Sequence, residues 1–210
     1  MSKNVQRNVG RPVDPDKDRD ILAAGRALLF GAGPEAVTME AVAREAGVAK
    51  PTLYRRYANR DELIAAVATA EAERMAGRFR LVPGSADDLK QALVEFGCDL
   101  TGFLLSAEHL NYVQALGASA QVPQSTRDSI YRHGPRGTQA RLADWLARAA
   151  DRDLLDCPDA DYSAEQFLGM LMGLDLVRTL YRVPLLRDAD ALHTRVRRLV
   201  SDFLRLHAAS

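Results

Sequence analysis

Four histidines, two cysteines and a run of aspartates are the side chains whose types could carry out chemistry or hold a metal. His109, His133, His193 and His207 lie far apart, with no His-Glu-x-x-His spacing, and the chain lacks a Gly-x-Ser-x-Gly elbow or a glycine loop that would cradle a phosphate. No catalytic constellation emerges, so the chain is expected not to be an enzyme. Cys98 and Cys157 have neither a Cys-x-x-Cys spacing nor neighbouring histidines, which argues against a disulfide framework and against zinc. Asp14, Asp16, Asp18 and Asp20 alternate as metal ligands sometimes do. Without the glycine and distal glutamate of a calcium loop they read better as the acidic start of a helix. No metal and no cofactor are expected.

Nearly every segment repeats apolar residues at intervals of three and four, and no alternating Val/Ile/Thr run reads as a strand, so the fold class is all-α. Residues 1–15, with Lys3, Arg7 and Arg11, form a flexible basic arm. A first helix runs from about Asp16 to Phe30. Short helices then cover Met39 to Ala46, with Thr38 as N-cap, and Lys50 to Tyr57, with Pro51 in its first turn. Asn59 caps a long helix from Asp61 to about Arg80, and Pro83-Gly84 marks the break beyond it. Further helices are expected near residues 87–105, 108–118, 123–150, 164–182 and 188–207, with a kink at Gly134-Pro135.

Two short helices meeting at Gly47, with a small residue at Ala43 where they cross and an apolar Val48 to lock their angle, make a helix-turn-helix. Leu53 and Tyr57 anchor the back of the second helix and leave its polar face free to enter a major groove. Residues 47–63 closely resemble the TetR family signature, Gly-Val-x-x-x-Thr-Leu-Tyr-x-x-Phe/Tyr followed by an acidic-Leu pair. The segment 134–169 is similar to an AefR-like C-terminal domain. The resemblance implies a DNA-binding domain at 16–62 and a helical ligand-binding and dimerisation domain at 63–210. It also implies that Lys50, Pro51, Thr52 and Tyr54 form the face that meets bases or backbone, that Arg55, Arg56 and Arg60 hold phosphates, and that Thr38 brings a helix N-terminus to a phosphate. Glu40 departs from the pattern, since an acid there would repel phosphate, and its role stays open.

The segment from Ala164 to Arg182 is apolar on more than one face and has to be covered twice. One side suits a core and the other a partner subunit, with a matching stripe on the last helix. The dimer interface is therefore expected at Phe167, Leu171, Leu174, Leu192, Val196, Leu199 and Phe203. An apolar ligand pocket is expected among Phe103, Tyr112, Trp145 and Met170.

Charge is distributed unevenly. Residues 1–60 carry eleven Lys and Arg against seven Asp and Glu, although the whole chain is neutral, which suits one end that meets a polyanion. The longest strongly apolar stretch, near residues 167–177, is short and contains Asp175, so neither a membrane span nor an export signal is expected, and the location is cytoplasmic. Taken with these readings, the resemblance implies a homodimeric repressor that binds a palindromic double-stranded DNA operator and is released by a small, mainly apolar effector. A helical ligand-binding protein or enzyme with a vestigial N-terminal domain is disfavoured by the intact recognition face. An architectural DNA binder would need a more basic chain.

Overall fold

The computed structural model describes residues 15–185 and 188–208, so the basic arm with Lys3, Arg7 and Arg11 lies outside the described residues. Among those described, the extended regular elements are all helices. The N-terminal unit comprises α1 (Pro15–Ala32), α2 (Met39–Glu45), α3 (Lys50–Tyr54) and the start of α4 (Arg60–Met75). The remainder comprises α5 (Ala86–Leu104), α6 (Ala107–Ala118), α7 (Gln124–His133), α8 (Pro135–Ala150), α9 (Ala160–Leu180) and α10 (Ala189–Leu206).

Capping sets where the first elements begin. The Thr38 hydroxyl accepts the Ala41 amide at 3.0 Å and starts α2. Gly47, at φ 63°, makes the left-handed turn into α3. At α4 the caps are reciprocal: Asn59 Oδ1 accepts the Glu62 amide at 2.9 Å while the Glu62 carboxylate accepts the Ala58 amide at 2.7 Å. The inward stripe of α4 then runs Leu63, Ile64, Val67, Ala68, Glu71, Ala72 and Met75. This helix stops at Met75, earlier than its sequence suggests, and a 3-10 turn over Gly77–Arg80 tucks Phe79 against Trp145 at 4.8 Å between ring centroids.

At Gly134-Pro135 the chain breaks where a kink is expected. Proline cannot donate the bond that would continue α7, so Gly134 leaves helical geometry (φ −87°, ψ −93°) and Pro135 opens a separate α8. A second interruption, within α9, has no proline. Gly173 adopts φ 49°, ψ −148°, a region open essentially to glycine. The carbonyls of Leu171 and Met170, just before the break, accept Arg195 Nη1 at 2.9 Å and Nη2 at 2.8 Å from α10.

Two apolar cores result. One joins α1–α4 and extends to Tyr112 of α6 and Ile130 of α7. The other gathers Phe79, Phe96, Trp145, Phe167 and Phe203 from the C-terminal helices. The second core overturns most of the expected dimer seam. Phe167, Leu171, Val196, Leu199 and Phe203 are all buried inside the single chain, because α10 turns its apolar stripe onto α5 and α9. Only Leu174 is fully exposed, and Leu192 is half-buried. Each such core side chain is worth ~1.5–3 kcal/mol of burial, so charging Leu199 and Phe203 would attack folding itself.

Gly173→Ala should destabilise the protein by about 1–3 kcal/mol, the usual cost of a strained backbone. Its Cβ would also stand 2.5 Å from Arg195 Nη2. Chemical denaturation measures this, and an unchanged midpoint would mean that the break in α9 is not enforced by glycine.

Candidate functional site

Two sites stand at opposite ends of α1 and α4. At the first, α3 turns Leu53 fully inward and leaves Lys50, Pro51, Tyr54 and Arg55 on the surface, with Thr52 half-buried. Tyr54 is 48% exposed, although a tyrosine at the end of a short helix could equally have served the core. Glu40 gains a role here. Its carboxylate accepts Lys50 Nζ at 3.0 Å, tying α2 to α3 across the turn, and the lysine holds it below the usual carboxylate range.

Two of the expected phosphate ligands are used within the chain instead. The Arg56 side chain is only 7% exposed, with Nε 3.2 Å from Asp18 Oδ1. The same oxygen accepts the Tyr57 hydroxyl at 3.2 Å, and burial together with the Asp18 charge pushes that phenol up to about 12. Arg60 donates Nε to the Val37 carbonyl at 2.8 Å and Nη2 to the Pro34 carbonyl at 2.6 Å, clasping the loop before α2. Both arginines thus fasten the recognition unit together. Of the aspartates at the start of α1, Asp18 is explained as the counterion of Arg56.

The second site is a cavity of about 500 Å³ between the two cores. Its walls come from α1 (Leu29, Phe30), α4 (Ala68, Glu71, Ala72, Met75), α5 (Leu100, Phe103, Leu104) and α6 (His109, Tyr112, Val113), with α7, α8 and α9 closing the rest. Phe103 and Tyr112 line it as expected. Trp145 does not, because its Nε1 donates to the Leu81 carbonyl at 2.8 Å and its ring fills the C-terminal core. Met170 packs on that core as well, two residues and so about half a turn round the helix from the cavity residues Leu168 and Met172.

Glu71 and His109 are among the polar wall residues that the sequence reading does not find. Glu71 interrupts the apolar stripe of α4, and that interruption was the signal available. Its carboxylate accepts Arg26 Nε from α1 at 2.9 Å and Arg74 Nη2 at 2.6 Å. Burial raises its pKa, but the hydrogen bonds from Arg74 and Arg26 outweigh burial and hold it below the ordinary value. His109 sits among the rings of Phe103, Phe30 and Tyr112, with centroids 4.5, 6.2 and 5.9 Å away. Its Nδ1 is buried with no hydrogen-bond partner, and burial pushes the imidazole down to about 4.

Unfolding returns His109 to its ordinary value of 6.5, so between about pH 6.5 and 4 the unfolded chain binds a proton that the folded chain refuses. Stability from this group is complete above that window and falls as pH drops through it. His109→Phe, which keeps a ring in place, should flatten the decline of melting temperature between pH 6.5 and 4. The Glu71 pairs act lower, as the carboxylate protonates, and are common to both proteins. Parallel curves for the two proteins would show that His109 does not titrate in this way.

Residues 21–67 match the family described as bacterial regulatory proteins, tetR family, and residues 91–209 match the AefR-like transcriptional repressor C-terminal domain. An uncharacterised helix-turn-helix transcriptional regulator of Mycobacterium tuberculosis is 36% identical over 75 residues, covering 36% of this chain and 38% of that protein. The match therefore spans under two-fifths of the length of the curated relatives. A TetR transcriptional regulator from Agrobacterium tumefaciens superposes with a TM-score of 0.68 at 25% identity, covering 96% of this chain and 97% of that one. The flavonoid-responsive regulator FrrA superposes at 0.65 and 25% identity, covering 93% and 98%. No described helix is long and apolar enough to cross a membrane. With a helix-turn-helix ahead of a wholly helical domain, and more than half of the chain matched by the C-terminal family alone, this protein belongs to the TetR family of helix-turn-helix transcriptional regulators.

Proposed function

We propose that the protein is a cytoplasmic, homodimeric repressor that holds a palindromic operator through the exposed face of α3 and releases it when a small, mainly apolar molecule fills the cavity. The observation that carries this reading is that α1 and α4 serve both sites. They clasp α2 and α3 at one end and give Leu29, Phe30, Ala68, Glu71, Ala72 and Met75 to the cavity at the other. A guest that pushes these helices apart changes the attitude of the recognition unit. In a dimer, it thereby changes the spacing of two half-sites that must be engaged together. The responsiveness to flavonoids in FrrA's name fits a family member governed by a guest of this size and polarity.

On the DNA, Lys50, Pro51, Thr52 and Tyr54 face base edges or backbone, Arg55 meets a phosphate, and the Thr38 end of α2 approaches another. A second copy docks on the outer half of α9, where Leu174 is 71% and Tyr181 77% exposed with Val177 beside them, and Leu192 of α10 lies at the edge. An apolar row of this kind is costly to leave in water and suits an isologous contact.

Selection from random DNA followed by footprinting tests the function. Two protected half-sites about one helical turn apart are expected, and uniform affinity for all sequences would overturn the reading. On the selected operator, Tyr54→Ala and Lys50→Ala should each weaken binding by ~1–3 kcal/mol. The lysine change should also expose the Glu40 charge. Arg55→Ala should weaken all sequences alike and lower the salt slope by about one unit, so a loss confined to one base pair would contradict a phosphate contact.

Leu174→Glu combined with Val177→Glu should yield a folded monomer with weakened operator binding. Sedimentation reads the mass and circular dichroism the fold. A dimer that survives both charges would place the seam elsewhere.

A further inference from the structure

The polar groups on the cavity wall define what it can accept. Both oxygens of Glu71 are taken by Arg26 and Arg74. The Arg127 guanidinium is taken by the carbonyls of Val122, Leu116 and Ser119, at the C-terminal end of α6 and just past it. Thr138 and Thr179 return their hydroxyl protons to the backbone at Gly134 and Leu176. A cationic guest finds no bare carboxylate there, and an anionic one finds no uncommitted guanidinium on the wall. Neutral guests alone avoid an unpaired buried charge.

Among the described residues, His109 alone combines a place on the wall with a sealed side-chain atom that lacks a partner. The sealed atom is Nδ1. A buried lone pair without a donor is easier to tolerate than a buried N–H without an acceptor, so the neutral ring keeps its proton on Nε2. Around it Phe30, Phe103 and Tyr112 present edges and faces at centroid separations of 4.5–6.2 Å, the spacing at which rings attract rings.

We infer that the cavity takes an uncharged aromatic molecule bearing an oxygen acceptor, and that His109 is the specificity-determining residue, donating Nε2–H to that oxygen among the rings of Phe30, Phe103 and Tyr112. This rests on the proposal that the cavity is the effector site, and the test separates the two. The neutral state of His109 agrees with a donor that carries no charge into an apolar space.

Equilibrium dialysis of the full-length protein against benzophenone, diphenylmethane and 4-benzoylbenzoate supplies the same two rings with a neutral acceptor, with none, and with an added anion. Benzophenone should bind about three- to tenfold more tightly than diphenylmethane, the range of one net hydrogen bond. The anion should bind more weakly than benzophenone. His109→Phe should retain diphenylmethane and lose the preference for the ketone, while His109→Gln, which keeps a donor, should retain part of it. Equal binding of ketone and hydrocarbon to the unaltered protein overturns the role of His109 while leaving the cavity as a site. A ketone preference that survives His109→Phe also overturns it and moves the donor to Tyr112 or Gln114. Tighter binding of the anion overturns the uncharged class. Failure of all three to bind overturns both this inference and the effector site.

Discussion

A carboxylate in an apolar interior has to be matched by cations, and Glu71 imposes that constraint at the point where the two halves of the protein meet. It lies on the inward stripe of α4, is 7% exposed and takes Arg26 from α1 together with Arg74 from its own helix. Arg26 reaches this carboxylate across the helix interface, whereas Arg74 lies on the same helix, so it is the Arg26 pair that ties α1 to α4. Arg26 also lies 5.2 Å from the centre of the Phe30 ring, and Phe30 forms the cavity wall with Tyr112 at 4.9 Å. The clamp between the two helices is therefore part of the lining that a guest would touch.

This arrangement bears on which element would act as the lever in the proposed release. The long helix α4 follows directly after α3, so its sequence position suggests that it alone transmits movement. In the structure α1 is equally well placed to do so. It packs on α2 and α4, contributes Leu29 and Phe30 to the cavity, and anchors the recognition unit through Asp18 to Arg56 and Tyr57. A guest large enough to displace α1 from α4 would strain both the Glu71 clamp and the seat of α3. Packed interfaces of this kind exchange between discrete arrangements more readily than they deform continuously, which is how a small displacement reaches a distant site.

The helix-turn-helix was legible because its signals are local. Thr38 and Asn59 cap at fixed offsets, Gly47 supplies the turn, and Leu53 and Tyr57 repeat at helical spacing. The cavity was half legible, because a void is defined by what several distant helices fail to fill, and no single segment records that. Phe103 and Tyr112 reach it, whereas Trp145 is drawn away by the Leu81 carbonyl. The apolar character of α9 all round was read as core plus partner, but it has three destinations. Phe167 and Leu171 fill the core, Leu168, Met172 and Leu176 line the cavity, and Leu174 and Val177 face outward. Periodicity shows that a face needs cover without showing whether the same chain supplies it. Nor does it reveal that Gly173 breaks the helix, since a lone glycine in an apolar run is ordinary in sequence.

Coupling of the cavity to the recognition helices through α1 and α4 is tested by thermodynamic linkage without assuming a route. Calorimetric titration of benzophenone into the free protein and into protein saturated with its selected operator compares the two affinities directly. Coupling requires the operator to weaken benzophenone by the same factor by which benzophenone weakens the operator, with about 5–150-fold being the usual scale. Measurable benzophenone binding with equal affinity in the two titrations would contradict the account.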